Sequence, residues 1–555
     1  MESSEISVRD PIIRPRAIES SEINVRVAML WVTALFLVAC LDLFWLTINN
    51  GYIIFILVFG VLMFMYIYIT LLFTFPFSAT SDTSPTYKAA VLQGFFAEAL
   101  TTQASLVESF VQNASNQDVQ ILVFGESALG SDTALSHRST CETLPNPKTS
   151  ATDLYLCSTT NISSTPLASQ ISCLAAKYNI VLVFAMCDVQ GDAHYNTQLA
   201  INNDGKLLAK YHKMHLYDTS PGIGESTHAS YPVHSDPTYF DTSFGVRFGM
   251  HTCFDMAFST PGAAMALDLS LGITDFVFPT GWVIESPPML PPNEFQQGWS
   301  RGVNVNLLAA DSAHSIGSSG SGIYSRGQVL IKRWSPHESF PDTGHLLVAV
   351  VPKLKRTVSN IQVSPPNWNY KTTVVEIDVD VDAAVNNDGV VSKVNRTITT
   401  APLVLTTFIP SHNVSKQMQS VTTKTGFTCQ FDYLLPSKSN STNSIEVYGL
   451  VANDGVWLNG VVKSRSCLVF RCRDAACSVD PMYTTVGDLD AATLFESFEL
   501  KGNFTGGDLI LPMLVTNGGD IVDDDEEVGL QFQGGTLVVR SWHRPLLNAM
   551  LYSPL

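Results

Sequence analysis

The stretch Val246-Arg247-Phe248-Gly249-Met250-His251-Thr252-Cys253-Phe254-Asp255 contains an apolar, strand-like run that ends at a cysteine, and residues that favour a helix follow it. A cysteine between a strand and the N-terminus of a helix lies where backbone N–H groups and the helix dipole stabilise a thiolate. Cys253 is therefore a candidate nucleophile. A buried structural cysteine is the alternative, because free cysteines are often found in cores.

Two other strand-like runs carry a charged residue at or near their ends. Gln120–Glu126 ends in a carboxylate, and Leu207–Leu216 contains Lys213. A carboxylate, an ammonium and a thiol at strand ends are the groups needed for acyl transfer, as base, oxyanion stabiliser and nucleophile. Each also has a structural alternative: Glu126 could be a surface acid, and Lys213 a loop lysine paired with Asp218.

Four short motifs follow one another in the same order as in a known family. The chain resembles the nitrilase superfamily, and most closely its vanin (pantetheinase) and biotinidase branch. The residues that carry the resemblance are Tyr211-His212-Lys213, Thr252-Cys253-Phe254-Asp255, Pro279-Thr280-Gly281-Trp282 and Gly320-Ser321-Gly322-Ile323-Tyr324. The resemblance implies an αββα sandwich and hydrolysis of linear carbon–nitrogen amide bonds. It assigns catalysis to Glu126, Lys213 and Cys253 through a thioester, without a metal or an organic cofactor.

Further residues could complete the site. Glu225 is a candidate second carboxylate, with a loop acid as the alternative, and three further residues are candidate pocket walls or simply packing residues: His251, Trp282 and Tyr324. The chain also departs from the family pattern. It has Gly125-Glu126-Ser127 where vanins and biotinidases usually have Pro-Glu-Asp, and Leu129–Asp132 replaces the aromatic residues expected next. The base is kept, but the acyl side of the pocket, where pantetheine or biotin amides would bind, differs.

The composition limits the classes of partner. The 555-residue chain has a formal net charge of −18 at pH 7 and a sequence pI near 5.0. An acidic chain without a basic groove argues against a nucleic-acid partner. A small-molecule amide is the expected substrate, and a homo-oligomer or a membrane complex could be formed. The length predicts two or three domains.

The stretch Val27–Phe75 predicts membrane attachment. It contains no Lys or Arg and a single acid, Asp42. A spanning helix needs about 20 apolar residues, and the turn signal Asn49-Asn50-Gly51 divides the stretch into the candidate spans Val27–Ile48 and Tyr52–Phe75. If both spans cross, Met1–Arg26 lies on the same side as the body. A buried helical hairpin is the alternative.

Sequons and cysteines indicate an extracellular or lumenal body. N-x-S/T sequons, all after the apolar stretch, begin at Asn113, Asn161, Asn395, Asn413, Asn440 and Asn503. Ten cysteines fit an oxidising compartment. With Cys40 in a span and Cys253 kept free, the others are expected to pair, with Cys429 joined to the Cys467–Cys477 cluster. Zinc binding by that cluster is disfavoured because no histidines are spaced to complete a site.

Alternating strand and helix patterns predict an α/β body, and short β-rich runs predict a second, mostly β domain. Predicted elements include a helix over Ala97–Val111, a hairpin turn at Asn202–Gly205 and strands over Thr372–Val381, Leu403–Ile409, Ser444–Val451 and Gly535–Val539. The second domain also resembles the vanin C-terminal domain. The expected division is a polar tail (1–26), two transmembrane helices (27–75), a linker (76–86), a nitrilase-like domain (87–355) and a vanin-like C-terminal β domain (356–555).

The favoured interpretation is a membrane-anchored, glycosylated amidohydrolase with an extracellular or lumenal body. One alternative is a vanin-like structural or binding subunit of a membrane assembly. The other is an N-acyltransferase that passes the acyl group to an amine.

Overall fold

The computed structural model describes residues between Ser84 and Leu555. The described residues are 84–95, 100–129, 141–157, 165–220, 223–233, 236–282, 292–312, 320–333, 343–355, 397–400, 403–410, 416–436, 446–457, 462–472, 477, 491–506, 508–516, 530–540 and 544–555. The predicted tail and both predicted spans lie outside them. Within these ranges no helix is both long enough and apolar enough to cross a bilayer.

One six-stranded sheet contains most of the strands of the first half of the body. Its strands are β1 (Thr86–Phe95), β2 (Ile121–Val123), β3 (Val181–Gln190), β4 (Ala193–Ile201), β5 (Leu207–His212) and β14 (Thr343–Pro352), numbered in chain order. They lie in the order β14-β1-β2-β3-β4-β5, with β1, β2 and β3 parallel. The predicted turn at Asn202–Gly205 joins β4 to β5, and Gly205 has the positive φ of 88° that this turn needs.

A second six-stranded sheet has the order β13-β12-β11-β10-β9-β8. Its strands are β8 (Tyr239–Asp241), β9 (Arg247–Met250), β10 (Asp275–Thr280), β11 (Asn306–Asp311), β12 (Ser321–Ser325) and β13 (Gln328–Arg333). The strands β6 (Asp218–Ser220) and β7 (Ile223–Gly224) form a separate small hairpin. Parallel pairing of β9, β10 and β11 brings their carboxyl ends to one edge of this sheet.

Helices and the two sheets form the layers of an α/β sandwich. Apolar side chains from the facing surfaces of both sheets share one core, as Val91, Val183, Phe248 and Leu308 show. On the outer face of the first sheet lie α1 (Leu100–Asn116) and α2 (Pro166–Tyr178), whose buried residues form a core with it. The helices α3 (Ala264–Leu267) and α4 (Pro292–Val303) pack on the second sheet. The predicted nitrilase-like α/β fold is confirmed, and α1 begins and ends later than the predicted helix.

The C-terminal part is β-rich, as predicted. One sheet has the order β15-β16-β19-β20-β25-β22 and the other has the order β17-β18-β21-β24-β23. The strands are β15 (Thr397–Thr400), β16 (Leu403–Phe408), β17 (Gln417–Thr422), β18 (Thr428–Leu434), β19 (Tyr448–Trp457), β20 (Val462–Arg471), β21 (Ser497–Gly502), β22 (Leu511–Val515), β23 (Gln531–Gln533), β24 (Thr536–Arg540) and β25 (Asn548–Pro554). Predicted strands correspond to β16, β19 and β24, whereas Thr372–Val381 lies outside the described residues.

Two disulfides lie in the α/β part of the body and two in the C-terminal part. The pairs are Cys141–Cys187, Cys157–Cys173, Cys429–Cys467 and Cys472–Cys477. Cys429 lies on β18 and Cys467 on β20, so this bond joins the two C-terminal sheets, and it confirms the predicted link between Cys429 and the later cluster. Cys253 is the free cysteine of the described part of the chain. Four disulfides are typical of a body that matures in an oxidising compartment.

Candidate active site

Cys253 lies in a short connection between β9 and the helices that follow it. It begins a 3₁₀ helix, Cys253–Ala257, and has a φ of 47°, which is uncommon for a residue with a side chain. The side chain is 6% exposed. Burial and the adjacent Glu126 carboxylate raise the pKa of the Cys253 thiol well above its usual range, although Lys213 opposes them. Burial therefore favours the neutral thiol in the resting site.

Asp255 holds this connection in place from within. Its carboxylate accepts hydrogen bonds from the backbone N–H of Thr252 at 2.9 Å and from the hydroxyl of Tyr211 at 2.7 Å. It also bonds the backbone N–H of His215 at 2.9 Å and the His215 ring at 3.0 Å. These donors keep the pKa of Asp255 below its usual range despite complete burial. The two family motifs that contain Tyr211 and Cys253 are therefore joined by one buried carboxylate.

Glu126 follows β2 and reaches the edge where β10 and β11 end. Its backbone N–H donates to the carbonyl of Thr280 at 3.1 Å, and its side-chain Oε2 accepts from the N–H of Gly281 at 3.1 Å. The hydroxyl of Ser312 donates to its carbonyl at 2.6 Å. A Cβ at Gly125 would lie 2.4 Å from the backbone nitrogen of Ser312. This contact explains why glycine stands before the carboxylate.

Lys213 connects the carboxylates of the site. Its ammonium Nζ lies 2.8 Å from Oε1 of Glu126 and 2.7 Å from Oε2 of Glu225. The described partners of Asp218 are instead the N–H of Ser226 and the hydroxyl of Tyr231. The alternative in which Lys213 pairs with Asp218 is therefore wrong. The structure brings Glu225, which sequence reasoning had left open, to the ammonium group.

The charges in this cluster depend on one another. Burial alone would lower the pKa of Lys213, but the nearby Glu126 and Glu225 raise it well above its usual range. Burial raises the pKa of Glu225, and Lys213 opposes that effect. The lysine therefore keeps its positive charge. An ammonium group has three N–H donors, and the two carboxylates leave one for another acceptor.

Asn196 is a site residue that sequence reasoning missed. Its side-chain amide donates to Oε1 of Glu126 and to Oε1 of Glu225, both at 2.7 Å. The backbone N–H of Lys213 donates to the carbonyl of Asn196 at 2.8 Å. One signal was available, because an asparagine in the middle of the strand pattern of β4 is unfavourable without a specific partner.

The predicted pocket residues lie in different places. His251 is fully buried among the rings of Phe276, Phe278 and Trp299, with centroids 4.7–5.5 Å away. Tyr324 is also fully buried, and its hydroxyl donates to Gln296. Their complete burial favours packing rather than pocket walls for both.

Trp282 is 3% exposed and directly follows Gly281, the residue that binds Glu126. Its backbone N–H donates to Asp311 at 3.3 Å. Of the candidate pocket residues, Trp282 is therefore the one that the structure places next to the Glu126 carboxylate. Within the described ranges, no cluster of three or more His, Cys, Asp or Glu residues is arranged to hold a metal ion.

Comparisons with known proteins identify the family of the chain. The carbon-nitrogen hydrolase family matches residues 88–270, and the vanin C-terminal domain family matches residues 399–554. The protein is thus a hydrolase of carbon–nitrogen bonds other than peptide bonds. More specifically, the chain belongs to the nitrilase superfamily, in the branch of the vanins and biotinidases.

Individual relatives cover different shares of the chain. Human pantetheine hydrolase VNN2 is 31% identical over 291 residues, which are 48% of this chain and 52% of that protein, so this match spans about half of the relative. Biotinidase from Takifugu rubripes is 27% identical over 447 residues, 76% of this chain and 81% of the relative. The solved structure of Saccharomyces cerevisiae Nit3, a member of the nitrilase superfamily, is 23% identical and covers 50% of this chain and 93% of its own, with a TM-score of 0.38.

Proposed function

We propose that the protein hydrolyses small linear amides through a thioester on Cys253, with Glu126 as the base and Lys213 as the oxyanion stabiliser. The observation that carries this proposal is the position of Lys213, which lies 2.8 Å from Glu126 and 2.7 Å from Glu225 beside the free, buried thiol. Three groups from separate strand ends, two charged and one nucleophilic, are costly to bury together without a chemical role.

Formation of the thioester begins from a neutral thiol. Because burial and Glu126 raise the pKa of Cys253, the sulfur needs a base at the moment of attack, and Glu126 is the adjacent carboxylate. As Sγ forms a bond to the amide carbon, its proton passes to Glu126 and the carbonyl oxygen becomes an oxyanion. The third N–H of Lys213 and the backbone N–H that follows Cys253 stabilise that oxyanion. The tetrahedral adduct then expels the amine, which takes the proton from Glu126.

Release of the acid uses the same groups again. Glu126 takes a proton from a water molecule, whose oxygen attacks the thioester carbon. The C–S bond breaks, the carboxylic acid leaves, and the proton returns to the sulfur. Asn196 and Glu225 hold Glu126 and Lys213 in fixed positions throughout, since Asn196 donates to both carboxylates.

Pantetheine- or biotin-amide-like molecules are the proposed substrate class. Relatives named pantetheine hydrolase and biotinidase support this class. The small exposed fraction of Cys253 favours a narrow, unbranched acyl chain that reaches the sulfur from the surface. Aromatic rings of Tyr217, Phe254 and Phe258 lie in edge contact on the nucleophile side and offer an apolar wall, with centroids 5.2–5.3 Å apart.

The setting of the enzyme is also part of the proposal. We infer a membrane anchor at Val27–Phe75, glycans on the body and the domain division at about residue 355. Of the sequons, Asn113 and Asn503 lie in the described ranges, and both side chains are exposed, as glycosylation requires. Protease protection of an N-terminal epitope in sealed vesicles tests the anchor, because two crossings place the epitope and the body on the same side.

A trapping experiment tests the mechanism. The wild type, incubated with a slowly hydrolysed pantetheine or biotinyl amide, should carry an acyl mass on the peptide that contains Cys253. Cys253→Ala should carry none, and Lys213→Met should lose turnover on the order of 10²–10³-fold, as expected for an oxyanion donor. Glu126→Gln keeps the shape but cannot accept a proton, so it should fail to acylate. Turnover that persists in Cys253→Ala would end the covalent mechanism.

The same experiment separates the alternatives. Acyl transfer to an added amine, in preference to water, would indicate an N-acyltransferase. A wild type that acylates with no member of the substrate panel, while the chain remains folded, would indicate a structural or binding subunit.

A further inference from the structure

The last strand of the C-terminal part, β25, contacts the helix that begins with Cys253. Tyr552 on this strand is fully buried, and its hydroxyl donates to the carbonyl of Ala257 at 2.7 Å. Ala257 is the last residue of the 3₁₀ helix Cys253–Ala257. Carbonyls at the end of a helix have no partner inside the helix. Tyr552, which is 295 residues away in the sequence, supplies one from the other half of the body.

The ring of Tyr552 also contacts the residues that support the base. It lies edge-on to Phe295, with centroids 5.5 Å apart, and Phe295 lies 5.3 Å from the ring of Trp282. Trp282 follows Gly281, whose N–H donates to Oε2 of Glu126 at 3.1 Å. Tyr552 therefore contacts the end of the helix Cys253–Ala257 directly. Through the rings of Phe295 and Trp282 it is also connected to Gly281, which binds Glu126.

The interface near Tyr552, between α4 and β22, is packed too closely to be a loose contact between domains. On α4, a Cβ at Gly298 would lie 2.8 Å from the carbonyl oxygen of Pro512. One turn later, a Cβ at Gly302 would lie 2.5 Å from a methyl carbon of Leu511. The two glycines let the backbone of α4 approach β22 directly. Interiors packed in this way hold their parts in fixed positions and transmit displacements.

Cys253 needs such support because of its backbone conformation. A positive φ on a residue with a side chain is strained and persists where the surrounding structure determines it. Asp255 holds the start of the helix through the N–H of Thr252. The hydroxyl of Tyr552 holds the end, at Ala257. The helix is therefore fixed at both ends, once from its own domain and once from the C-terminal part.

We propose that Tyr552 is a positioning residue for the nucleophile, so that the C-terminal β part forms one structural element of the active site. This inference rests on the proposed role of Cys253. Tyr552 touches no reacting atom and acts through the carbonyl of Ala257. Burial raises the pKa of Tyr552, so the phenol keeps its proton and remains a donor at the pH of the reaction.

The test compares two tyrosine-to-phenylalanine substitutions in the full chain. Tyr552→Phe removes only the hydroxyl, which donates to Ala257 and also hydrogen-bonds with the side chain of Ser464. Tyr448→Phe is the matched control, because Tyr448 is also fully buried in the C-terminal part and its hydroxyl donates to a backbone carbonyl, that of Leu546, at 3.0 Å. The rings around Tyr448 belong to Phe408 and Phe495, both in the C-terminal part. The hydroxyl of Tyr448 also has a second partner, the side chain of Thr493. Both variants lose buried hydrogen bonds of the same kinds, so a purely structural role predicts equal effects.

Two readouts distinguish positioning from stability. The first is the acylation rate with a slow amide substrate, and the second is the rate at which iodoacetamide alkylates Cys253. Since a misplacement of about 1 Å can cost 10²-fold, Tyr552→Phe should lower acylation and kcat by roughly 5- to 100-fold with little change in KM. The rate at which iodoacetamide alkylates Cys253 should also differ from that of the wild type. Tyr448→Phe should match the wild type in both rates, while melting temperatures fall by similar amounts.

Equal acylation and alkylation rates in Tyr552→Phe and Tyr448→Phe would overturn the inference. If the wild type forms no acyl-enzyme with any amide, the proposed function fails instead. The alkylation rates still decide the positioning role in that case, because they report the placement of Cys253 without any amide hydrolysis.

Discussion

Glu225 allows the charge in the active site to be separated from its shape. Its Oε2 accepts from Nζ of Lys213 at 2.7 Å and from the N–H of Tyr217 at 2.9 Å, and its Oε1 accepts from the amide of Asn196 at 2.7 Å. Glu225→Gln keeps the size of the side chain but replaces one acceptor oxygen by a donor. In either orientation of the amide, at least one of these three donors then faces another donor.

The size of the effect follows from these contacts. A hydrogen bond to a charged group contributes roughly 1.5–3 kcal/mol, and each 1.36 kcal/mol corresponds to a tenfold change in rate. Glu225→Gln should therefore lower kcat/KM about 10- to 100-fold. Lys213 should remain charged, because Glu126 still raises its pKa. The loss should appear in kcat more than in KM, since the substitution moves the oxyanion donor and the base rather than the outer pocket.

The assay measures kcat and KM with one amide substrate, together with the acylation rate. Glu294→Gln is the matched control. Burial raises the pKa of Glu294 well above its usual range and favours the neutral side chain, and its described partner is Asn548 in the C-terminal part. An isosteric neutral amide should be tolerated there with a change in kcat/KM of less than about threefold, corresponding to under roughly 1 kcal/mol. If Glu225→Gln behaves like this control, Glu225 does not position the catalytic group.

Further substitutions test other parts of the site. His251→Leu should flatten the pH dependence of stability, because burial lowers the pKa of His251 to about 4 and only the unfolded chain takes up a proton below about pH 6.5. Between pH 7.5 and pH 5 the wild type should lose roughly 2 kcal/mol of unfolding free energy that His251→Leu keeps. Parallel curves of unfolding free energy against pH, measured with denaturant, would contradict this. Gly125→Ala should reduce kcat at least tenfold, which corresponds to an activation free energy higher by on the order of 1.4 kcal/mol. The reason is that the new Cβ meets the backbone of Ser312 and displaces Glu126. Gly506→Ala is the control, because nothing lies within 4 Å of a Cβ there. Asp255→Asn should slow acylation and should lower the free energy of unfolding by roughly 1.5–3 kcal/mol for each charge-assisted bond lost. An unchanged denaturation midpoint would show that Asp255 does not hold the connection around Cys253 in place.

Several features could be predicted from the sequence because they depend on local patterns. Glu126, Lys213 and Cys253 stand at or just beyond strand ends that apolar runs make visible, and the carboxyl ends of neighbouring strands meet at one edge of a sheet. The turn at Asn202–Gly205 needs only the conformational preferences of its own residues. The β-rich character of the C-terminal part follows from its short alternating runs. The link between Cys429 and the later cysteines was predicted, but spacing alone could not decide which of them is the partner.

The tertiary structure alone decided what depends on burial and on distant contacts. The pKa of Cys253 is raised because the packed site removes water from the thiol. His251 and Tyr324 lie in the core, although their positions in the motifs suggested a pocket. Asn196 on β4 and Glu225 just after β7 join Lys213 because the fold brings them to one place, although they are far apart along the chain. The bond from Tyr552 to Ala257 joins residues 295 positions apart. No local preference encodes such a pair, since it forms only when the C-terminal sheet packs against the glycines of α4.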